Sequence, residues 1–399
     1  MNRIVLVVLA VFCDLAGFGM AFPDIALRLR GYGLSQSIAG LILASYFVAQ
    51  FIVSPHWGRL SDRIGRRPVA VTCTAISALS MIVYAFSRSF EWILASRILA
   101  GVAAANISVV QAYFADVSSP EQRTAAMGKI GAAVSAGLIG GPAIGGFLAT
   151  NGSPLLLGLV AGGLSTLGAL FLWFGLPSAP KVSEAEEERP KGRFLDFRLL
   201  KDVPRLPGLF ALAVLSWFSL ACLEGTFVPL LNQMFDWPKE FFGVAFDARK
   251  VGGAAFGYES LIAVILQVFL VPRLAAKKSG RTFLFVGYTL MGIGLVLTPY
   301  APEIWILFLF STVYAFGQSI ANPTINATVS HIVPDHRQGE VFGLMQGARS
   351  LGFWIGPLLG GFLFDLRPSY PYLLAGLVCM AAAIGVSVIV GRHAHRSSA

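Results

Sequence analysis

Charge is scarce in this sequence: Asp, Glu, Lys and Arg together make up 13% of its 399 residues. A water-soluble chain of that length needs more polar surface to cover its interior, so a soluble globular fold is excluded first. Cysteine is scarcer still. Cys13, Cys73, Cys222 and Cys379 all lie inside apolar segments, and no disulfide framework follows from them. The five histidines, His56, His331, His336, His393 and His395, form no cluster with cysteine that reads as a metal site. No G-x4-G-K-[ST] phosphate loop exists, which argues against direct use of ATP, and no nucleophile triad is readable. The chain is therefore not expected to be an enzyme or to hold a metal.

Apolar and small residues fill the space instead: 56% of the chain is hydrophobic, with 43 glycines and a mean hydropathy of +0.71. Crossing hydrocarbon takes on the order of 18–20 apolar residues. Twelve such segments are readable, at about 4–26, 37–57, 69–87, 92–114, 128–149, 154–176, 207–231, 251–271, 282–300, 304–330, 341–364 and 370–391. The expectation is an all-α membrane protein with twelve transmembrane helices, multi-pass in the cell (inner) membrane and surrounded by lipid. No cleavable leader is expected, because the first segment runs on as a full span containing Asp14.

Orientation follows from Lys and Arg. With both termini cytoplasmic, 21 fall inside and 7 outside, while Arg97 and Arg349 lie within spans. That bias predicts an N-in, C-in topology. The net charge of +9 then reads as topology and contact with anionic lipid, not as nucleic-acid binding.

Residues 178–206 interrupt the apolar pattern with Pro180, an acidic run from Glu184 to Glu188 and several basic residues. They predict a cytoplasmic linker between a six-helix bundle at 1–177 and another at 207–399. Within the linker, 194–202 has the pattern of a short helix lying on the membrane surface. The halves also repeat each other. Gly137, Gly141, Pro142, Gly145 and Gly146 of the fifth segment follow G-x3-G-P-x2-G-G, and Gly352, Gly356, Pro357, Gly360 and Gly361 of the eleventh repeat it. Two pseudo-symmetric bundles are expected. The glycines let helices approach closely, and the proline removes a backbone hydrogen bond where the helix can bend.

Charges within spans need a reason, since each costs from about 2.5 to over 10 kcal/mol at the bilayer centre. Five stand out: Asp14, Arg97, Glu224, Glu259 and Arg349. Three acids face two bases, so full pairing leaves one acid free to take a proton. Each also has a plainer reading. Asp14 and Glu224 could be packing-site acids, Arg97 a brace for backbone carbonyls, Glu259 a residue at the outer interface, and Arg349 a structural partner. Helical spacing places Arg97, Gly101, Ala104, Ser108 and Gln111 on one face, and Gln318, Asn322 and Asn326 on another, as expected of cavity walls.

Between the second and third segments stands Gly58-Arg-Leu-Ser-Asp-Arg-Ile-Gly-Arg-Arg-Pro68, read as a short charged hairpin. It resembles the signature loop of the major facilitator superfamily, G-x3-D-[RK]-x-G-R-[RK], and fills every fixed position. The first 150 residues resemble the twelve-helix drug:H⁺ antiporters of the tetracycline and multidrug type. The likeness rests on Asp14 followed by Gly17-x-Gly19 and Pro23, on the 58–68 loop, on Arg97-x3-Gly101 and on the Gly137–Gly146 pattern, which in that family is the antiporter motif. Residues 271–281 look like a degraded copy of the loop, without its acid.

This resemblance implies proton-coupled efflux of lipophilic or amphipathic small molecules by alternating access, by a monomer with no cofactor and the proton as coupling ion. The alternative is a proton-coupled facilitator of a small polar solute such as a sugar, organic acid or amino acid. The resemblance also assigns gating to Gly58, Asp62, Arg63, Gly65, Arg66, Arg67 and Asp116. In that scheme Asp62 faces the start of the eleventh helix and Arg66 contacts Asp116. Tetracycline exporters carry an acid in the third helix, where this chain has Ser80, and another in the ninth, where 282–300 holds none, so chelated tetracycline is not an expected substrate.

Overall fold

The computed structural model describes residues 3–104, 106–117, 120–149, 154–176, 199–241, 243–266, 280–333 and 338–389. Nearly all of them are helical, as hydrocarbon demands of a chain whose backbone groups must be satisfied internally. In order, the helices are α1 (Arg3–Met20), α2 (Phe22–Gly31), α3 (Gln36–Ile64), α4 (Arg66–Ala85), α5 (Phe90–Ala103), α6 (Asn106–Val117), α7 (Pro120–Leu148) and α8 (Leu155–Gly175). Then come α9 (Leu199–Asp202), α10 (Leu206–Met234), α11 (Ala248–Ile265), α12 (Gly280–Leu297), α13 (Ile304–Ile332), α14 (Gln338–Leu366) and α15 (Tyr370–Ile389). A small antiparallel hairpin, β1 (Lys239–Phe241) and β2 (Val244–Phe246), precedes α11.

Among the described residues, eight helical stretches are long and apolar enough to cross a membrane: Arg3–Gly31, Gln36–Ser54, Arg66–Ala85, Phe90–Gln111, Leu155–Gly175, Leu206–Met234, Gly280–Tyr300 and Ile304–Val329. Ala136–Leu148 and Tyr370–Val386 are shorter apolar helices. Of the expected linker, 178–198 lies outside the described residues, and so does 271–279 of the expected loop copy.

Three sequence-based expectations are corrected. The stretch 58–68 is not an open hairpin. α3 continues through Ile64, and a single non-helical residue, Gly65 at φ +100°, makes the turn into α4. Only glycine reaches that conformation without strain. The segment 4–26 is two helices, because Pro23 has no N–H to donate and its ring crowds the preceding turn.

The segment 92–114 is also broken, between α5 and α6. The Trp57 indole donates to Val102 O at 2.7 Å and the Gln50 amide to Ala104 O at 3.5 Å. α3 thus supplies partners for carbonyls at the break. The single polar face drawn through Arg97, Gly101, Ala104, Ser108 and Gln111 is interrupted there.

The chain divides into two compact units: Met1–Leu34 with Ser45–Pro190 and Phe235–Gly257, and Ser35–Ala44 with Lys191–Met234 and Tyr258–Ala399. Within the first, α1 packs on α7 and α8, and α4 on α8 and α5. Within the second, α10 packs on α14 and α15, and α12 on α15 and α13. The same packing therefore occurs twice, as the glycine repeat implies. A Cβ on Gly141 would lie 2.5 Å from Ala16 O of α1, and one on Gly356 would lie 2.6 Å from Ala221 Cβ of α10. No larger residue fits either crossing.

Candidate functional site

In the first unit Asp14 is buried near the middle of α1 and accepts a hydrogen bond from the Asn106 amide at the start of α6. Asn106 also reaches Thr74 Oγ1 of α4 at 3.4 Å, and the hydroxyls of Ser77 and Ser165 face the carboxyl. The other Asp14 oxygen, Oδ1, has no hydrogen-bond partner among the described residues. Arg97 lies elsewhere, 2% exposed, with its guanidinium 5.3 Å from the Tyr84 ring centre and in contact with Ser96 Oγ and Met81 Sδ. Among the described residues Asp14 and Arg97 make no ion pair with each other.

Tyr84 leads to a cluster that the sequence reading missed. Asp24, fully buried, accepts from Tyr84 Oη at 2.6 Å, from Arg28 Nε at 2.7 Å and from Arg249 Nε at 3.0 Å. Arg28 lies one helical turn on, over the same Tyr84 ring. The readable signal was Asp24 itself, the second charge inside the 4–26 segment after Asp14, with a base at i+4. Arg249, 225 positions away, had no local signal.

The second unit brings the remaining intramembrane charges together. Glu224 of α10 interacts with the charges of Arg349 on α14 and Glu259 on α11. Glu259 is 8% exposed, so its side chain is buried within the protein. It faces the Ser311 hydroxyl of α13, and its Oε1 has no hydrogen-bond partner among the described residues. The Arg349 guanidinium lies 4.8 Å from the Trp217 ring centre and 5.6 Å from that of Phe353. On α13, Asn322 accepts a hydrogen bond from Ser216 at 2.7 Å, Gln318 is half-buried and Asn326 is exposed.

Around Gly58, Ser61 donates to the Gly58 carbonyl at 2.7 Å and accepts from Arg66 Nη1 at 2.6 Å. Arg67 sits 4.5 Å over the Trp173 ring of α8, and Arg63 lies in the last turn of α3. The Asp62 and Asp116 side chains lie outside the described residues. Of the α7 pattern, Gly137, Gly141 and Gly145 rest on α1, and Gly146 meets the backbone at Arg249 and Gly253 of α11. α1 fills this stripe; it is not an open groove.

Asp365, on the last turn of α14 beyond its apolar segment, accepts from the backbone N–H of Gln36 at 2.8 Å and of Ser37 at 2.7 Å, and from the Ser37 hydroxyl. It thereby caps the N-terminus of α3. Partial burial pushes its pKa up, but the Ser37 and Gln36 hydrogen bonds outweigh this and hold it below the usual carboxylate value. A depressed pKa means this stabilisation is complete above about pH 4 and is lost as pH falls through the folded value. Asp365→Asn is expected to cost no more than about 1 kcal/mol at this exposed site. It should also flatten the acid limb of stability, which thermal unfolding of the two proteins between about pH 6 and pH 3 would measure.

Large apolar side chains face outward along these helices, including Ile384 at 70% exposure and Phe174 at 69%, while charge is kept inside. That inversion, with buried acids and bases inside helical units, is the pattern of a multi-pass membrane protein. The Major Facilitator Superfamily model matches residues 7–270 and 248–399, and the chain belongs to that superfamily.

Among its relatives, Multidrug resistance protein 2 of Bacillus subtilis (strain 168) is 29% identical over 391 residues, 95% of this chain and 92% of that protein. Tetracycline resistance protein, class D, of Salmonella ordonez is 30% identical over 371 residues, covering 92% and 90%. The solved structure of the human organic anion transporter MFSD10 (TETRAN) matches in fold, with a TM-score of 0.70 at 22% identity, over 96% of this chain and 99% of that one.

Proposed function

We propose that this transporter exports lipophilic or amphipathic small molecules in exchange for protons, by alternating access. The carrying observation is the charge balance of the second unit, where Glu224 interacts both with a second acid, Glu259, and with a base, Arg349. Two ionised acids against one base would leave net negative charge in hydrocarbon, and taking up one proton removes that cost. Coupling is therefore placed on this pair and not on Asp14, which is enclosed by Asn106 and hydroxyls inside the first unit. The relatives named for multidrug and tetracycline resistance support export as the direction.

With this reading go twelve spans, both termini cytoplasmic, bundles at 1–177 and 207–399 joined by 178–206, and a monomer in the cell membrane. Gating by Gly58–Arg67 and Asp116 belongs to the same proposal. The polar-solute alternative draws on Gln318, Asn322 and Asn326, but the Asn322 carbonyl is already engaged by Ser216.

Expression in a pump-deficient bacterium should raise tolerance to at least one lipophilic cation, and an uncoupler should erase the gain. Tetracycline should give little protection. Ser80 is a buried hydroxyl donating to Ser77 O at 2.6 Å, where those exporters have a carboxylate. No protection across a broad panel, with proton-linked uptake of a sugar or amino acid into vesicles, would favour the polar-solute alternative.

A further inference from the structure

Trp217 and Phe353 form an aromatic clamp, and the protein's own guanidinium occupies it. Their ring centres are 5.8 Å apart with planes tilted by 36°, and Arg349 stacks on both. The clamp is set by backbone packing. A Cβ on Gly352, next to Phe353, would lie 2.6 Å from Trp217 Cβ, so α14 lies directly on α10 here. Aromatic faces attract flat, delocalised cations, and guanidinium is the side chain that best matches that description. Glu224 lies two turns along α10 from Trp217, on the same helical face, and already interacts with the Arg349 charge. A carboxylate thus flanks a seat that visibly accepts a planar cation.

We infer that the Trp217–Phe353 clamp is the seat for the delocalised cationic head of a transported lipophilic organic cation, and that Arg349 is a tethered stand-in that must leave it before such a cation binds. This rests on the export reading above and adds to it a ligand class and a specificity residue. Arg349 lowers affinity for every cation that needs the rings, so only ligands with enough additional apolar contact displace it. On leaving, the guanidinium has Glu224 within reach, which keeps its charge compensated. An anionic ligand gains nothing from the clamp.

The test is equilibrium binding of ethidium, a planar delocalised cation, to the full-length protein in lipid nanodiscs at fixed pH. Arg349→Met and Arg349→Gln, which remove the competing cation, should each bind ethidium about three- to tenfold more tightly than the wild type. Arg349→Lys, a compact charge without a flat face, should give a smaller gain. Adding Trp217→Ala to Arg349→Met should abolish the gain, as expected if the two side chains act at one seat. Ethidium binding that is unchanged or weaker in the Arg349 variants overturns the inference. Uncoupler-sensitive efflux by the wild type reads the export proposal separately. Efflux with unaltered affinities removes only the stand-in, whereas loss of all efflux removes the reading beneath it.

Discussion

Glu259→Gln should abolish uphill export, lowering the initial rate of energised efflux by about tenfold or more, while the protein remains inserted and folded. Glutamine keeps the shape of the side chain and can still meet the Ser311 hydroxyl, but it cannot ionise. Its environment would tolerate the amide well, because Glu259 is already buried with one oxygen unpartnered. The lost function is the alternation between charged and neutral forms that a proton-coupled carrier needs. Downhill movement of substrate should persist, since that requires no change of charge. Efflux from preloaded cells, energised and then de-energised, separates the two. Wild-type energised efflux by both Glu259→Gln and Glu224→Gln would move the coupling role to Asp14.

Asp24→Asn should be the most damaging single substitution for stability among the buried polar groups. Asp24 has no exposed surface and receives hydrogen bonds from Tyr84, Arg28 and Arg249. Removing its charge leaves Arg28 buried without its counter-ion and releases the start of α11 from α2. Breaking a buried pair on one side costs on the order of 3–5 kcal/mol. Tyr84→Phe, which removes one neutral donor, should cost only about 0.5–1.5 kcal/mol. The thermal unfolding midpoint should therefore fall by several degrees for Asp24→Asn and much less for Tyr84→Phe. Equal midpoints for the two variants would mean that Asp24 is not the centre of the cluster.

The contrast between legible and hidden features has a physical basis. Helix positions were legible because apolar runs long enough to cross hydrocarbon admit little else. The glycine repeat was legible because close helix crossings admit only the smallest residue, and the structure places Gly141 and Gly356 at equivalent crossings. The acids of α10 and α11 announced themselves by their cost in lipid.

What stayed hidden depends on partners far away in sequence. The break between α5 and α6 has no proline to announce it, and the partners that tolerate it, Trp57 and Gln50, come from α3. Asp24 was readable as a charge, but its link to Arg249 is purely tertiary. The pairing of Asp14 with Asn106 rather than Arg97 depends on which way α1 faces, which residue counting leaves open. The 58–68 stretch was read correctly as a special sequence and wrongly as a loop. Its glycine at position 65 needs only one residue to turn the chain.

The most direct measurement is proton movement by the purified wild-type protein in sealed vesicles carrying a pH-sensitive dye, with ethidium supplied on the side from which it is exported. Ethidium transport should drive protons in the opposite direction at a rate proportional to its own, and Glu259→Gln should abolish the proton signal. Ethidium transport at full rate with no proton movement, insensitive to an imposed pH gradient, would contradict proton-coupled export.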